Sequence, residues 1–384
     1  MQKFETPIPL SLYIHIPWCV RKCPYCDFNS HEARQSVPED LYVAALLEDL
    51  AENLPLIWGR RLISIFFGGG TPSLFSPDAV EKILVGVNNV LNIGPDIEIT
   101  LEANPGTVDE ARFGGFRKAG VNRLSLGIQS LQNEKLQTLG RIHDREHALR
   151  AIDTAQQCGF ENMNLDLMHG LPGQSLEEAA EDLQDALAWK TPHLSWYQLT
   201  IEPNTVFYRH PPTLPEDESL WDIQENGKKI ISAQGLQQYE VSAYSLPGKE
   251  CVHNVNYWEF GDYLGIGAGA HSKLTDVENQ KIIRTAKMRQ PKDYLDPEKP
   301  FISSQKIISE RDAIFEFMLN ALRLTRGVPN NLFSERTGLS IEEINPQLKK
   351  ARDKKLLHEN NEILQPTELG KKFLNDLVEI FLFS

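Results

Sequence analysis

The stretch LISIFFGGGTPSLFSPD, residues 62–78, contains one complete structural unit. Leu62 to Phe67 form a short, mostly apolar run bounded by three glycines, which reads as a buried strand ending in a turn. Ser76 followed by Pro77 and Asp78 is a helix start. It offers a side-chain acceptor at the N-cap, a proline that needs no donor at the first helical position, and an acid in the first turn. Strand, glycine turn and capped helix make a β/α unit.

The same unit recurs on both sides. SLYIHI (11–16) precedes a helix that starts near Pro38 and runs as DLYVAALLEDLAENL. DIEITLE (96–102) precedes a helix after Pro105, and NRLSLGI (122–128) is followed by helical periodicity to position 158. NMNLDLM (162–168) leads through GLPG into EEAAEDLQDALAW, and HLSWYQLT (193–200) closes the series. Strands rich in Leu, Ile and Val with helical crossovers predict a parallel α/β sheet. Periodicity alone leaves a doubly wound sheet and a partial barrel both open. The placement of unusual residues favours a partial (β/α)6 TIM-like barrel. Cys19 to Cys26, Gly68 to Thr71, Glu102, Gln129, Asp166 and Glu202 all fall at or just past strand C-terminal ends, where parallel α/β folds build their sites.

The expected organisation is a barrel over 1–210, an extension over 211–304 that completes the core, and a helical unit over 305–384. The segment 286–304, rich in charge and proline, reads as a linker. The last unit reads equally as a winged-helix-like domain or as a small helical bundle. Residues 333–384 carry 8 Lys and Arg against 9 Asp and Glu, which disfavours DNA binding. The whole 384-residue chain has a net charge of −14, so attraction to nucleic acid or to an anionic membrane is also disfavoured. No apolar run approaches the roughly 18 residues of a membrane span, and MQKFETPIPL lacks the pattern of a signal peptide. The expected location is the cytoplasm.

Three of the five cysteines, Cys19, Cys23 and Cys26, crowd into a C-x3-C-x2-C spacing. That arrangement suits metal or redox chemistry better than a disulfide framework. Zinc would need a fourth ligand, from His15 or His31. An iron–sulfur cluster held by only three thiolates would leave one iron open to a small molecule.

The C-x3-C-x2-C spacing, with Tyr25 directly before the last cysteine, resembles the signature of the radical S-adenosylmethionine (SAM) superfamily. YIHIPWCVRKCPYCDF, GGGTPSL, EANPGT, NRLSLGIQS, LGRIH, NLDLMHGLPGQ and HNVNYW follow in that order. Together they resemble the branch that holds oxygen-independent coproporphyrinogen III oxidase and the HemW heme chaperones, and they resemble the chaperones most. The resemblance covers essentially the whole chain. It implies a [4Fe–4S] cluster on Cys19, Cys23 and Cys26, with SAM chelating the remaining iron. It further implies that Tyr13, Gly69 and Glu102 hold that SAM, with Tyr25, Gly70 and Thr71 lining the same turn. Gln129, Arg141 and Asp166 match oxidase residues that contact a second SAM. Here they meet either that molecule, the first SAM or a porphyrin propionate. His271 matches a cofactor-adjacent position.

His253, in HNVNYW, matches the HNxxYW pattern of the chaperones and is the expected heme ligand, with Cys251 competing. Cys158 reads as core. Two departures point away from the oxidase. Phe28 stands where it has a further cysteine, and the first strand begins by Ser11, without the oxidase's N-terminal extension. The implied function is binding heme and transferring it to an acceptor protein, such as a membrane-associated respiratory protein. The alternative is a radical SAM oxidase acting on a tetrapyrrole.

Overall fold

The computed structural model describes residues 2–5, 7–33, 36–91 and 93–383. Its centre is a run of parallel strands alternating with helices. They are β1 (Leu10–Ile16), α1 (Glu39–Ile57), β2 (Leu62–Gly69), α2 (Pro77–Val90), β3 (Ile93–Ala103), α3 (Glu110–Ala119), β4 (Arg123–Gln129), α4 (Arg145–Gln157), β5 (Asn162–His169), α5 (Leu176–Leu187) and β6 (His193–Gln198). Helix starts follow the local chemistry. Ser76 accepts from the Ala79 N–H, Asp109 from Arg112, Asp144 from His147, and Ser175 closes a capping box with Glu178.

The chain then adds α6 (Asp217–Ala233), the hairpin β7 (Gln237–Glu240) and β8 (Ala243–Ser245), and α7 (Val252–Trp258). Next come β9 (Asp262–Ile266), β10 (His271–Asp276), β11 (Lys281–Lys287) and β12 (Ile302–Ile307). All join one twelve-stranded sheet in the order β12-β11-β10-β9-β1-β2-β3-β4-β5-β6-β8-β7. β9 pairs parallel with β1, so the parallel stretch gains a seventh strand beyond the six expected. The two ends of the sheet are antiparallel.

The expected linker at 286–304 is not a linker. It is the end of β11, a short helical turn Pro291–Tyr294 and the start of β12. The prolines and charges sit in the turn, and β12 is an edge strand with mostly exposed side chains, so its polarity imitated a loop.

Alternation within the parallel strands explains how an apolar sheet holds a polar interior. Leu10, Leu12, Ile14 and Ile16 are buried in the main hydrophobic core, whereas Ser11, Tyr13 and His15 face the other way. Side chains of this inward-facing set bond from strand to strand around the sheet. Ser64 Oγ donates to Ser11 Oγ at 2.8 Å, Asn164 Nδ2 to Ser125 Oγ at 2.8 Å, Ser195 Oγ to Asn164 Oδ1 at 3.1 Å, and Tyr197 Oη to Gln129 Oε1 at 2.7 Å.

A second apolar cluster lies under the C-terminal part. Phe317 on α8 (Glu310–Ala321) and Phe333 on α9 (Asn330–Thr337) pack edge-on, and Phe260, Ile282 and Phe4 from the main body join them. α10 (Asn345–Asp353) follows, then Ile363–Leu364 pairing antiparallel with Val328–Pro329. Helix, strand, two helices and a strand is the order of a winged helix.

Candidate functional site

The cysteine loop leaves β1 and lies over the end of β2. Gly70 N–H donates to Ile16 O and Thr71 N–H to Trp18 O, both at 2.8 Å. A Cβ on Gly70 would stand 2.6 Å from the Trp18 carbonyl oxygen, so this approach of two backbones requires glycine. Gly69 has φ +114°, and a Cβ there would lie 2.6 Å from the His15 ring. Gly69 and Gly70 therefore let the loop and the turn form one surface.

The three cysteine thiols open onto one cavity of about 350 Å³. Thr71 Oγ1 donates to Cys19 Sγ at 3.4 Å, and Arg141 Nη1 to Cys23 Sγ at 3.6 Å. The Arg141 Nε is buried without a partner among the described residues, while its Nη2 is anchored on Gly127 O at 2.7 Å. Gln129, at φ +70°, closes the wall, and Asp166 accepts from Ser125 Oγ at 2.9 Å and Asn164 Nδ2 at 2.8 Å. Tyr25, Gly69, Gly70, Thr71 and Glu102 line the same cavity. Burial first, and the charge of Asp166 second, push the Glu102 carboxyl up to about 8, with the Gly69 backbone pulling the other way.

A second, wider cavity of about 690 Å³ adjoins the first, sharing Phe28, Gly69 and Glu102 with it. Tyr13 and His271 line this one. Its side wall is the stacked pair Tyr257 and Tyr263, with ring centroids 4.1 Å apart. Phe28, 62% exposed, stands at the mouth. Asn29 stitches the cysteine loop to this wall. Its Nδ2 donates to Ala268 O at 3.0 Å and Arg289 O at 2.9 Å.

Of the expected site residues, only His253 lies on neither cavity. It is 3% exposed, bonded through Nδ1 to Ser64 Oγ at 3.0 Å, and packed on Phe66 with ring centroids 4.9 Å apart. Burial and the nearby Arg123 lower its pKa to about 3. In this structure His253 lies in the floor of the barrel, away from both cavities, bonded to β2 through Ser64. Its competitor Cys251 is also fully buried, against Glu98. Cys158, expected as core, is half-buried and packs against the main cluster.

The sequence reading missed how His15 and Asn29 are used. His15 Nε2 faces Asn29 O at 2.9 Å, which places the ring proton there, and Nδ1 accepts from Tyr13 Oη at 3.0 Å. His31 Nε2 faces Arg289 O at 3.2 Å. Both histidines weighed as a fourth zinc ligand thus bond elsewhere. No three His, Cys, Asp or Glu among the described residues are placed to share one metal ion. A cluster, which spreads its thiolates over several irons, fits three soft donors around a cavity better than a mononuclear ion does. The spacing of Tyr13 and His15 at i and i+2 was the available signal, since it puts both on one strand face.

A profile of the Radical SAM superfamily matches residues 13–186, and one of the HemN C-terminal domain matches residues 308–373. The chain is 52% identical over 374 residues to the Escherichia coli protein named heme chaperone HemW, covering 97% of this chain and 98% of that one. The chain belongs to the HemW family. A HemW of Haemophilus influenzae is 50% identical with 97% and 98% covered, and one of Bacillus subtilis is 35% identical with 97% and 99% covered. In structure the chain is similar to coproporphyrinogen III oxidase, HemN, of Escherichia coli, a radical SAM enzyme. The TM-score is 0.83 at 22% identity, with 98% of this chain and 90% of that one covered. That similarity shows the TIM-like fold with its C-terminal domain. As a radical SAM protein, this HemW-family chain has a [4Fe–4S] cluster and SAM as its cofactors.

Proposed function

We propose that this chain binds heme and passes it to an acceptor protein, and that Cys19, Cys23 and Cys26 hold its [4Fe–4S] cluster with exchangeable SAM. The observation that carries the reading is near-full-length identity to proteins named heme chaperone HemW. Phe28, exposed at the mouth where the oxidases have a further cysteine, supports a carrier over a catalyst.

A cluster held by three thiolates supplies an iron that SAM can chelate. The protein's part is charge and shape. The Thr71 hydroxyl and the Arg141 guanidinium stabilise the thiolates of Cys19 and Cys23, as donors to charged sulfur do. Glu102 and Tyr13 offer an acceptor and a hydroxyl to the cofactor, and Gly69 and Gly70 let it reach the backbone. Gln129 and Asp166, bonded to protein partners, and Arg141, anchored through its Nη atoms with Nε unpaired among the described residues, set the shape and potential of the wall. The acceptor would be a heme protein, and a respiratory membrane-associated one suits the role. No helix among the described residues is long and apolar enough to cross a membrane.

The test is titration of anaerobically purified protein, with about four iron and four sulfide per chain, against ferric heme. A saturable 1:1 Soret change, followed by loss of heme to an acceptor apoprotein, is expected. Absence of saturable binding, or formation of protoporphyrinogen from coproporphyrinogen with SAM and a reductant, would overturn the reading.

A further inference from the structure

We propose that Tyr239, His193 and Asn164 are positioning residues. They form a one-way chain of hydrogen bonds that begins beneath the C-terminal unit and fixes the Asp166 carboxylate in the wall of the 350 Å³ cavity. This rests on the reading that Glu102 meets SAM and goes beyond it by naming the groups that set the charge beside it.

Asn164 on β5, His193 at the start of β6 and Tyr239 on β7 are all buried, and they touch in series. Tyr239 Oη lies 2.9 Å from His193 Nε2, His193 Nδ1 2.6 Å from Asn164 Oδ1, and Asn164 Nδ2 2.8 Å from Asp166 Oδ1. One group decides every direction. An ionised carboxylate only accepts, so the Asn164 carboxamide turns its nitrogen toward Asp166. That nitrogen also reaches Ser125 Oγ at 2.8 Å, and Ser125 in turn donates to Asp166 Oδ2 at 2.9 Å. The carboxamide oxygen then faces His193, which carries its proton on Nδ1, and the Tyr239 hydroxyl donates to Nε2. Burial and the nearby Arg123 hold the His193 pKa well below its ordinary value, so the ring has only that one proton. Bonds aligned head to tail strengthen one another, and a carboxylate supplied with donors keeps its charge.

The two ends of the chain belong to different parts of the molecule. Tyr239 packs in the second apolar cluster, and its carbonyl accepts from the Thr325 N–H at 3.0 Å. Asp166 acts on Glu102, whose carboxyl is raised first by burial and then by that charge. Burial pushes the Asp166 carboxyl up, whereas the bonds from Ser125 and Asn164 and the charge of Arg123 pull it back. Tyr13 and Tyr197 also face these acids, and burial keeps both phenols neutral. Breaking the chain takes a donor from Asp166, which then binds a proton and lets Glu102 ionise at lower pH.

The experiment measures SAM affinity by calorimetry from about pH 6 to about pH 9. It compares cluster-loaded wild type, Glu102→Gln, Asp166→Asn, His193→Leu, His193→Asn and Tyr239→Phe. Circular dichroism and iron and sulfide content establish that each is folded and loaded. Wild type should level off above about 8. We expect Asp166→Asn to move that inflection down by about one pH unit. His193→Leu should move it the same way, and Tyr239→Phe by less. His193→Asn, whose amide donates from near the Nδ1 position, should keep the wild-type inflection. If Glu102→Gln retains the wild-type profile, the reading of Glu102 falls and this one with it. If Glu102→Gln is flat while Asp166→Asn or His193→Leu leaves the inflection in place, only the chain is overturned. A loss of affinity in His193→Leu that is equal at every pH, as a merely structural role would give, overturns it as well.

Discussion

Glu102 carries the clearest single-residue expectation. Its carboxyl is raised to about 8, so in the ligand-free protein it is protonated through neutral pH and ionises above that value. A ligand that donates hydrogen bonds or carries an ammonium group favours the carboxylate, so binding at pH 6–8 releases a proton. SAM affinity should therefore rise with pH by up to about tenfold per unit and level off above about 8. Glu102→Gln should bind SAM more weakly and show a flat profile, as measured by calorimetry in buffers of different ionisation enthalpy. At this scale the sequence was legible wherever motif and strand-end position agreed, as for the cysteines, the glycines, Glu102 and Asp166. It did not foretell that His253 faces the barrel floor, because a motif gives order along the chain and not which side of a short helix meets the barrel. It was silent on Asn29, whose role needs Gly269 and Arg289, distant in sequence, to be brought beside it.

Among the elements, the turn after β2 does more than end a strand. Gly70→Ala must push the Trp18 carbonyl away, since the contact is backbone on backbone. We expect a loss of about 1–3 kcal/mol and a matching fall in iron and sulfide per chain. Gly114→Ala, within α3 and with nothing within 4 Å of the added carbon, should instead stabilise by about 0.5–1 kcal/mol. Thermal unfolding of the two variants checks the contrast. The six parallel strands were legible because strands buried on both faces are dense in branched apolar residues. β9 escaped notice as a seventh parallel strand because DYLGI is short and sits between glycines. β12 escaped because an edge strand with a wet face has the composition of a loop.

Across the whole molecule, the helical layer and the antiparallel flank are fastened by one buried polar cluster. Asp49 on α1 bonds Lys287 at the end of β11 and accepts from Tyr294 Oη at 2.7 Å, with both charged side chains fully buried. Lys287→Met leaves Asp49 uncompensated and should cost about 3–5 kcal/mol, and adding Asp49→Asn should recover part of it. The midpoint of urea unfolding reports both. A pair 238 positions apart in sequence could not be foreseen from local pattern, and this is why 286–304 looked detachable.

The wall of Phe28, Gly69 and Glu102 that the two cavities share has a thermodynamic consequence. Ligands seated in both cavities would touch the same side chains, and we expect their affinities to be coupled. If SAM alters the dissociation constant of heme by some factor, heme alters that of SAM by the same factor, because the four binding steps close a cycle. Measuring both constants with and without the other ligand should give equal ratios, away from one. Under the proposed function, such coupling would let exchange of the cofactor drive loading and release of heme, with no bond in the heme made or broken.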